Sequence, residues 1–195
     1  MSLDGVVQAP GGQKEDPSGG FRFGGWVYPF FDEFVANEMV SQMSSGFDLL
    51  LGRKTYQVFA SYWPYADTAS DPIAAGINNA RKYVVTNTLE KVEWNNSYII
   101  NGDIREEILK LKETDGPEIQ IHGSGNLIQT LLKYDLVDEL WLKIFPVALG
   151  KGKKLFSEGD FAGSFELTEG KTSPSGVFLA KYRRSGKIKV GAFVE

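Results

Sequence analysis

Apolar residues recur at helical spacing through Phe30, Phe31, Phe34, Val35, Met39 and Met43, which predicts a helix over residues 30–43. Pro29 falls at or just before its first turn, where a missing N–H is harmless. Residues 48–51 form a short apolar run ending at Gly52 and read as a strand, and residues 53–59 open a second helix. A third helix is expected over residues 72–79, with Pro72 in its first turn and Asp71 as its cap. Residues 83–85 and 98–100 read as strands, the first leaving through Thr86-Asn87-Thr88 and the second closed by Asn101-Gly102-Asp103.

Ile104, Ile108, Leu109 and Leu111 stand among charges and predict an amphipathic helix over residues 104–112, stopped by Gly116-Pro117. Residues 119–121 follow as a strand, Gly123-Ser124-Gly125 as a tight turn and residues 126–134 as a helix. Residues 140–147 are a strand rich in large apolar side chains. Beyond Gly150 the pattern changes to strands at 165–168, 177–182 and 188–190, separated by Gly, Ser and Pro turns. Alternation of strand and helix followed by consecutive strands implies an α/β fold of three α/β/α layers. Its sheet is mostly parallel and mixed, with antiparallel C-terminal strands. Residues 1–195 are read as a single domain. Residues 8–25, dense in Gly and Pro, are read as a mobile loop of the kind that serves as a lid or binding loop.

Composition removes several classes of chemistry. The 195 residues contain no cysteine and one histidine, His122. Disulfides, thiolate metal sites and cysteine nucleophiles are excluded, and so are histidine clusters, so no metal site is expected. The net charge of −4 argues against a general nucleic-acid partner, whose binding rests on neutralised phosphates. No apolar run approaches the roughly 20 residues that span a bilayer, and no secretory signal opens the chain, so neither a membrane partner nor export is expected and the default location is cytoplasmic.

Ligands of open α/β sheets gather beyond the carboxyl ends of the parallel strands. Three such ends carry suitable groups. Gly52-Arg53-Lys54-Thr55 combines a glycine, two cations, a hydroxyl and the free N–H groups of a helix start, which together make an anion seat. Gly123-Ser124-Gly125-Asn126 repeats the strand–turn–helix arrangement. Thr86 and Asn87 are small and polar and leave room for a ligand. Each signal alone also fits an ordinary turn, because turns need glycine. Two phosphate-friendly turns beside a polar strand end favour a dinucleotide.

The ordered set of Ser2-Leu3-Asp4-Gly5, Leu51-Gly52-Arg53-Lys54-Thr55-Tyr56, Ile121-His122-Gly123-Ser124-Gly125-Asn126-Leu127, Leu136-Val137-Asp138-Glu139-Leu140 and Phe145-Pro146-Val147-Ala148-Leu149-Gly150-Lys151-Gly152 resembles the dihydrofolate-reductase-like superfamily. The closer resemblance is to its riboflavin-biosynthesis reductase branch (RibD C-terminal domain-like). It implies NADPH as cofactor, with Gly52, Arg53, Lys54 and Thr55 at its phosphates and Arg53 or Lys54 suited to the 2′-phosphate. It places Thr86 and Asn87 near the adenine-side ribose, and Gly123, Ser124, Gly125, Asn126 and Leu127 around the pyrophosphate. In folate reductases this last loop holds a cis Gly-Gly peptide, where this chain has His122, Gly123 and Ser124.

For the substrate side the resemblance offers two carboxylates as catalytic candidates. Asp4 stands at the strand end beside nicotinamide and substrate in riboflavin-type reductases, and equally suits a turn before Gly5. Asp32 lies near the ring-gripping carboxylate of folate reductases, about one residue out of register, and equally suits a helix-start acid. Trp26 and Phe31 are candidate surfaces for a flat heterocycle or members of the core. His122 and the lysines of Lys151-Gly152-Lys153-Lys154 read more simply as structural and solvated groups. Family members run a strand into Ser-x-Asp-Gly, and here Met1-Ser2 leads directly into it. A truncated start, or another segment or subunit in that slot, is the expectation.

The expected activity is therefore an NADPH-dependent reductase transferring hydride to a small heterocycle. The closest analogy is 5-amino-6-(5-phosphoribosylamino)uracil reduction. Dihydrofolate reduction, or a non-catalytic NADPH-binding module, are the alternatives. Homodimerisation is expected from the resemblance alone.

Overall fold

A computed structural model describes residues 1–156 and 161–193 of the chain. The backbone divides into two compact units, one of Asp32–Thr130 and one of Met1–Phe31 with Leu131–Glu195.

The first unit opens with α1 (Glu33–Ser44), not at residue 30. Asp32 sets that boundary, because its carboxylate accepts the N–H of Val35 at 2.9 Å and so caps the helix. Tyr28–Phe30 forms a separate single 3₁₀ turn with Pro29 near its start. Then follow β1 (Phe47–Gly52), α2 (Arg53–Ala60), α3 (Pro72–Asn79), β2 (Lys82–Val85), β3 (Ser97–Ile100), α4 (Ile104–Lys112), β4 (Glu118–Gln120) and α5 (Gly125–Lys133), which leads into the second unit. Local chemistry accounts for the helix starts. Asp71 accepts from Ile73 and Ala74 at the head of α3, and Asp103 accepts from Glu106 at the head of α4.

The four strands form a parallel sheet in the order β3-β2-β1-β4. Leu49, Leu50 and Leu51 of the central β1 are all at most 2% exposed, so both faces of this strand are covered, as parallel sheets require. Met43, Phe47, Leu49, Leu51, Ile77 and Val84 form the core on one face. Gly52 is the register partner of Val85, so the carboxyl ends of β1 and β2 lie side by side.

The second unit contains an antiparallel sheet, β5-β7-β6, built from β5 (Glu139–Ile144), β6 (Ser164–Thr172) and β7 (Phe178–Gly186). The α/β class read from sequence is the observed one, with a four-stranded parallel sheet and a three-stranded antiparallel sheet. Residues 188–190, expected as a strand, belong to neither. Among the described residues β7 runs out of partners at its end, where Gly186 faces Ser164, the first residue of β6. Gly186 has φ +104°, and Ile188 and Val190 beyond it are exposed.

Residues 8–25, expected as a mobile loop, are tied to buried Gln8. Its amide donates to the carbonyls of Asp16 and Ser18 at 2.9 and 3.0 Å and accepts the N–H of Lys153 at 3.0 Å. Lys153 also pairs with Asp16. Gly24 lies so close to the backbone of Gly12 and Gln13 that a Cβ would sit 2.6 Å from the Gly12 carbonyl oxygen.

Candidate functional site

Gly52 ends β1 and precedes the first turn of α2, and it has no side chain to cap that turn. The N–H groups of Arg53, Lys54 and Thr55 therefore head the helix without an intrahelical acceptor, with the positive end of the helix dipole behind them. Arg53 and Lys54 are exposed beside them. A second helix start, that of α5, follows Gly123 and Ser124. Both residues have left-handed backbones, at φ +71° and +61°. The Ser124 carbonyl receives the first helical bond, from Ile128 at 3.0 Å.

These two turns meet. The N–H of Gly52 donates to Oγ of Ser124 at 2.8 Å. A Cβ on Gly52 would lie 3.3 Å from that same oxygen, and one on Gly123 would lie 3.5 Å from Thr55. The hydroxyl of Ser124 accepts from one turn and keeps its own proton to give elsewhere. Leu127 is buried, so its side chain packs the joint, whereas Asn126 is exposed.

The adjacent end of β2 is more committed to the fold. Thr86 is buried, and its hydroxyl accepts the N–H groups of Thr88 and Leu89 at 3.1 and 3.2 Å, closing the turn after the strand. Asn87 next to it is exposed. His122 points its Nε2 at Oε1 of buried Gln120, 2.8 Å away. Because the Gln120 amide nitrogen donates to Glu118 and to the Gln42 carbonyl, its oxygen is the acceptor, and Nε2 of His122 carries the proton. The described peptide bonds are all trans, those around His122-Gly123-Ser124 included.

Of the residues read as substrate-side candidates, Asp32 is the α1 cap described above. Asp4, Trp26 and Phe31 belong to the other unit. Asp4 receives the Ser2 hydroxyl at 2.6 Å and the N–H groups of Leu149 and Gly150 at 3.0 and 2.8 Å. The Ser2 hydroxyl first, and then these backbone donors, hold its carboxyl down at about 2. A carboxylate so held carries no proton at neutral pH, and its geometry is that of a clasp between the Ser2–Gly5 turn and the 149–150 turn. Trp26, read as a possible stacking surface, is a core residue. It is buried edge-on to Phe145 and its indole donates to the Gln8 carbonyl at 2.9 Å. Phe31 is the reverse, 43% exposed where the 3₁₀ turn ends.

Sequence reading missed the group that stands directly behind the first turn. The hydroxyl of buried Tyr56, one helical turn after Arg53, accepts the N–H groups of Glu93 and Trp94 at 3.1 and 3.2 Å. The tyrosine was visible in the Gly52–Tyr56 motif, but its partners lie far along the chain and no local pattern announces them.

The model of the RibD C-terminal domain family matches residues 1–179. The chain belongs to that family. That membership agrees with the resemblance carried by the sequence motifs. Among curated relatives, the uncharacterized protein YyaP of Bacillus subtilis is 29% identical over 193 residues, covering 95% of this chain and 92% of the relative. YwjB of the same organism is 30% identical over 113 residues, covering 56% of this chain and 58% of the relative. Two solved structures share the fold. A putative riboflavin biosynthesis protein from Shewanella sp. PV-4 superposes with TM-score 0.67 at 24% identity, covering 95% of both chains. A pyrimidine reductase-like protein from Corynebacterium diphtheriae superposes with TM-score 0.60 at 14% identity, covering 95% of this chain and 89% of the other. Among the described residues no group of His, Asp and Glu could hold a metal ion, and no helix is long and apolar enough to cross a membrane.

Proposed function

We propose that this protein is an NADPH-dependent reductase that transfers hydride to a small heterocycle, with a ribosylated aminouracil as the nearest analogy and dihydrofolate as the next. The observation that carries the reading is the Gly52–Ser124 hydrogen bond, which brings two anion-receptive helix starts to one place in a RibD-type chain. The residues present fit a pyrophosphate-bearing ligand. A Cβ on Gly125 would meet nothing within 4 Å, so the backbone of the second turn can be approached closely, and the first-turn N–H groups of α2 lack helical acceptors.

NADPH, when bound, supplies the hydride; the chain supplies place and electrostatics. Arg53 and Lys54, exposed at the first seat, would supply the cations for the 2′-phosphate. The N–H groups of residues 53–55 and 125–127 would hold the pyrophosphate, and the Ser124 hydroxyl, which accepts from Gly52, would have its own proton to give to a phosphate oxygen. Thr86 shapes the ribose end through its turn rather than its hydroxyl, with Asn87 exposed beside it. Homodimerisation is part of this reading and rests on family resemblance alone.

The test is the loss of nicotinamide absorbance when NADPH is mixed with each candidate heterocycle, run beside thermal unfolding with and without NADPH. Turnover supports the reductase. Stabilisation without turnover supports a binding module, a reading favoured by the engagement of Asp4 in its clasp. Absence of stabilisation refutes both. Arg53→Ala is expected to weaken NADPH about tenfold and NADH little, and equal losses would remove Arg53 from the 2′-phosphate.

A further inference from the structure

α2 has only eight residues. A helix of two turns does not hold itself in water, so the direction of its leading N–H groups is set by what grips it from behind. Tyr56 is that grip. Its hydroxyl takes two successive backbone N–H groups, of Glu93 and Trp94, and its ring lies 6.3 Å from the Trp94 ring.

Trp94 is held in turn. Its indole donates to Oδ1 of Asn78 at 3.0 Å, while the Asn78 amide donates to the carbonyls of Trp63 and Ala74. On Trp94 sits Nζ of Lys82, 4.3 Å from the ring centroid. Lys82 is wholly buried, at 0% exposure, and no carboxylate pairs with it in a described ion pair. Its ammonium donates instead to the carbonyls of Asn78 at 2.6 Å and Asn95 at 3.2 Å. Buried lysines without an acidic partner are rare, because the desolvated charge must be satisfied by dipoles or an aromatic face. Here it is satisfied by two carbonyls and one indole, and all three belong to the same cluster that holds Tyr56. Lys82 pairs in register with Leu49, three residues before Gly52, so the cluster lies about 10 Å behind the seat along the strands.

We propose that Tyr56 and Lys82, linked through Trp94 and Asn78, are positioning residues that aim the first turn of α2 at the phosphates of its ligand. The proposal rests on the NADPH reading above. Removing either group lets α2 rock on the sheet and spreads the N–H directions at residues 53–55, while every residue that touches the ligand is kept.

The test compares the wild-type chain with Tyr56→Phe and Lys82→Met, at a temperature where unfolding curves show each fully folded. NADPH and inorganic pyrophosphate are titrated separately, and turnover is followed where a substrate is found. The expected result is a Kd for both ligands raised about fivefold in each variant, with KM for NADPH rising and kcat unchanged. The double variant is expected to lose little beyond either single variant, because both act through one cluster. A purely structural role lowers the melting temperature and leaves Kd of the folded protein as in wild type; that result overturns the proposal and leaves the NADPH reading standing. Should wild type bind neither ligand, both fall. Should Lys82→Met fail to fold, Tyr56→Phe, which loses one oxygen only, decides alone.

Discussion

Ser124 is the residue at which stability and ligand binding separate most cleanly. Its hydroxyl oxygen is the acceptor for Gly52 at 2.8 Å, and its backbone sits at φ +61°, where a side chain is strained. Replacing it by alanine removes the acceptor and keeps the strain. A half-buried N–H left without a partner costs about 1.5 kcal/mol. For a chain of this length each kcal/mol moves the melting temperature by roughly 2–4 °C, so Ser124→Ala should melt about 3–6 °C lower. Ser124→Gly loses the same hydrogen bond and relieves the left-handed strain, a gain of about 1 kcal/mol, so it should melt within about 2 °C of wild type. Affinity follows a different rule. Both variants lack the hydroxyl that couples the turns and that the proposed function assigns to a phosphate, so both should weaken NADPH about tenfold, as read from the fluorescence of bound nicotinamide. The pair thus predicts one variant that is unstable and weak-binding, and one that is stable and equally weak-binding. Wild-type affinity in Ser124→Gly would refute the idea that this bond aligns the turns. A large stability loss in that variant would refute the strain argument.

Gly152→Ala should unfold the second unit more readily, because a Cβ at φ +142° would stand 2.5 Å from Val6 and 3.0 Å from Phe21. Overpacking of this kind costs about 3 kcal/mol, and a melting temperature within 2 °C of wild type would count against the packing described. Asp4→Asn should melt below wild type at neutral pH. Because the folded carboxyl is held at about 2, below its ordinary value, its stabilisation is present above that ordinary value and fades as pH falls from about 4 towards 2. The two melting curves should therefore converge over that interval, and turnover should show no pH limb that vanishes in the variant. Lys82 behaves in the opposite sense. Burial lowers its ammonium to about 8, so the unfolded chain binds the extra proton between that pH and 10.5. Wild type should gain stability over this interval, by at most about 3 kcal/mol, and Lys82→Met should lack the slope in urea titrations.

The parts of the fold that sequence makes legible are those decided locally. Residues 104–112 and 72–79 are helices with the expected bounds, because an aspartate heads each and the apolar spacing follows at once. The strand-to-helix turn at residues 52–55 is legible for the same reason, a glycine and a hydroxyl where β1 passes into α2. Burial of aromatics is not. Trp26 and Phe31 are five residues apart in one aromatic stretch, and what separates a core indole from an exposed ring is a carbonyl at Gln8 and a partner at Phe145. Residues 188–190 carry a strand's composition, but a strand also needs a neighbour to pair with, and β5 and β6 leave β7 none there among the described residues.

The same distinction governs the site. Groups that would touch the ligand sit in short motifs, since a turn and its helix are built within a few residues. Groups that orient them come from far along the chain: the N–H of Trp94 reaches the hydroxyl of Tyr56, and Ser124 of the second turn takes the N–H of Gly52 in the first. Asp4 shows the consequence for chemistry. Its motif marks it as a carboxylate at a strand end, and nothing local tells whether that carboxylate faces a substrate or a backbone. The three donors around it show what the fold asks of it: a group that accepts a hydroxyl and two N–H bonds is held in its charged form and clasps two turns.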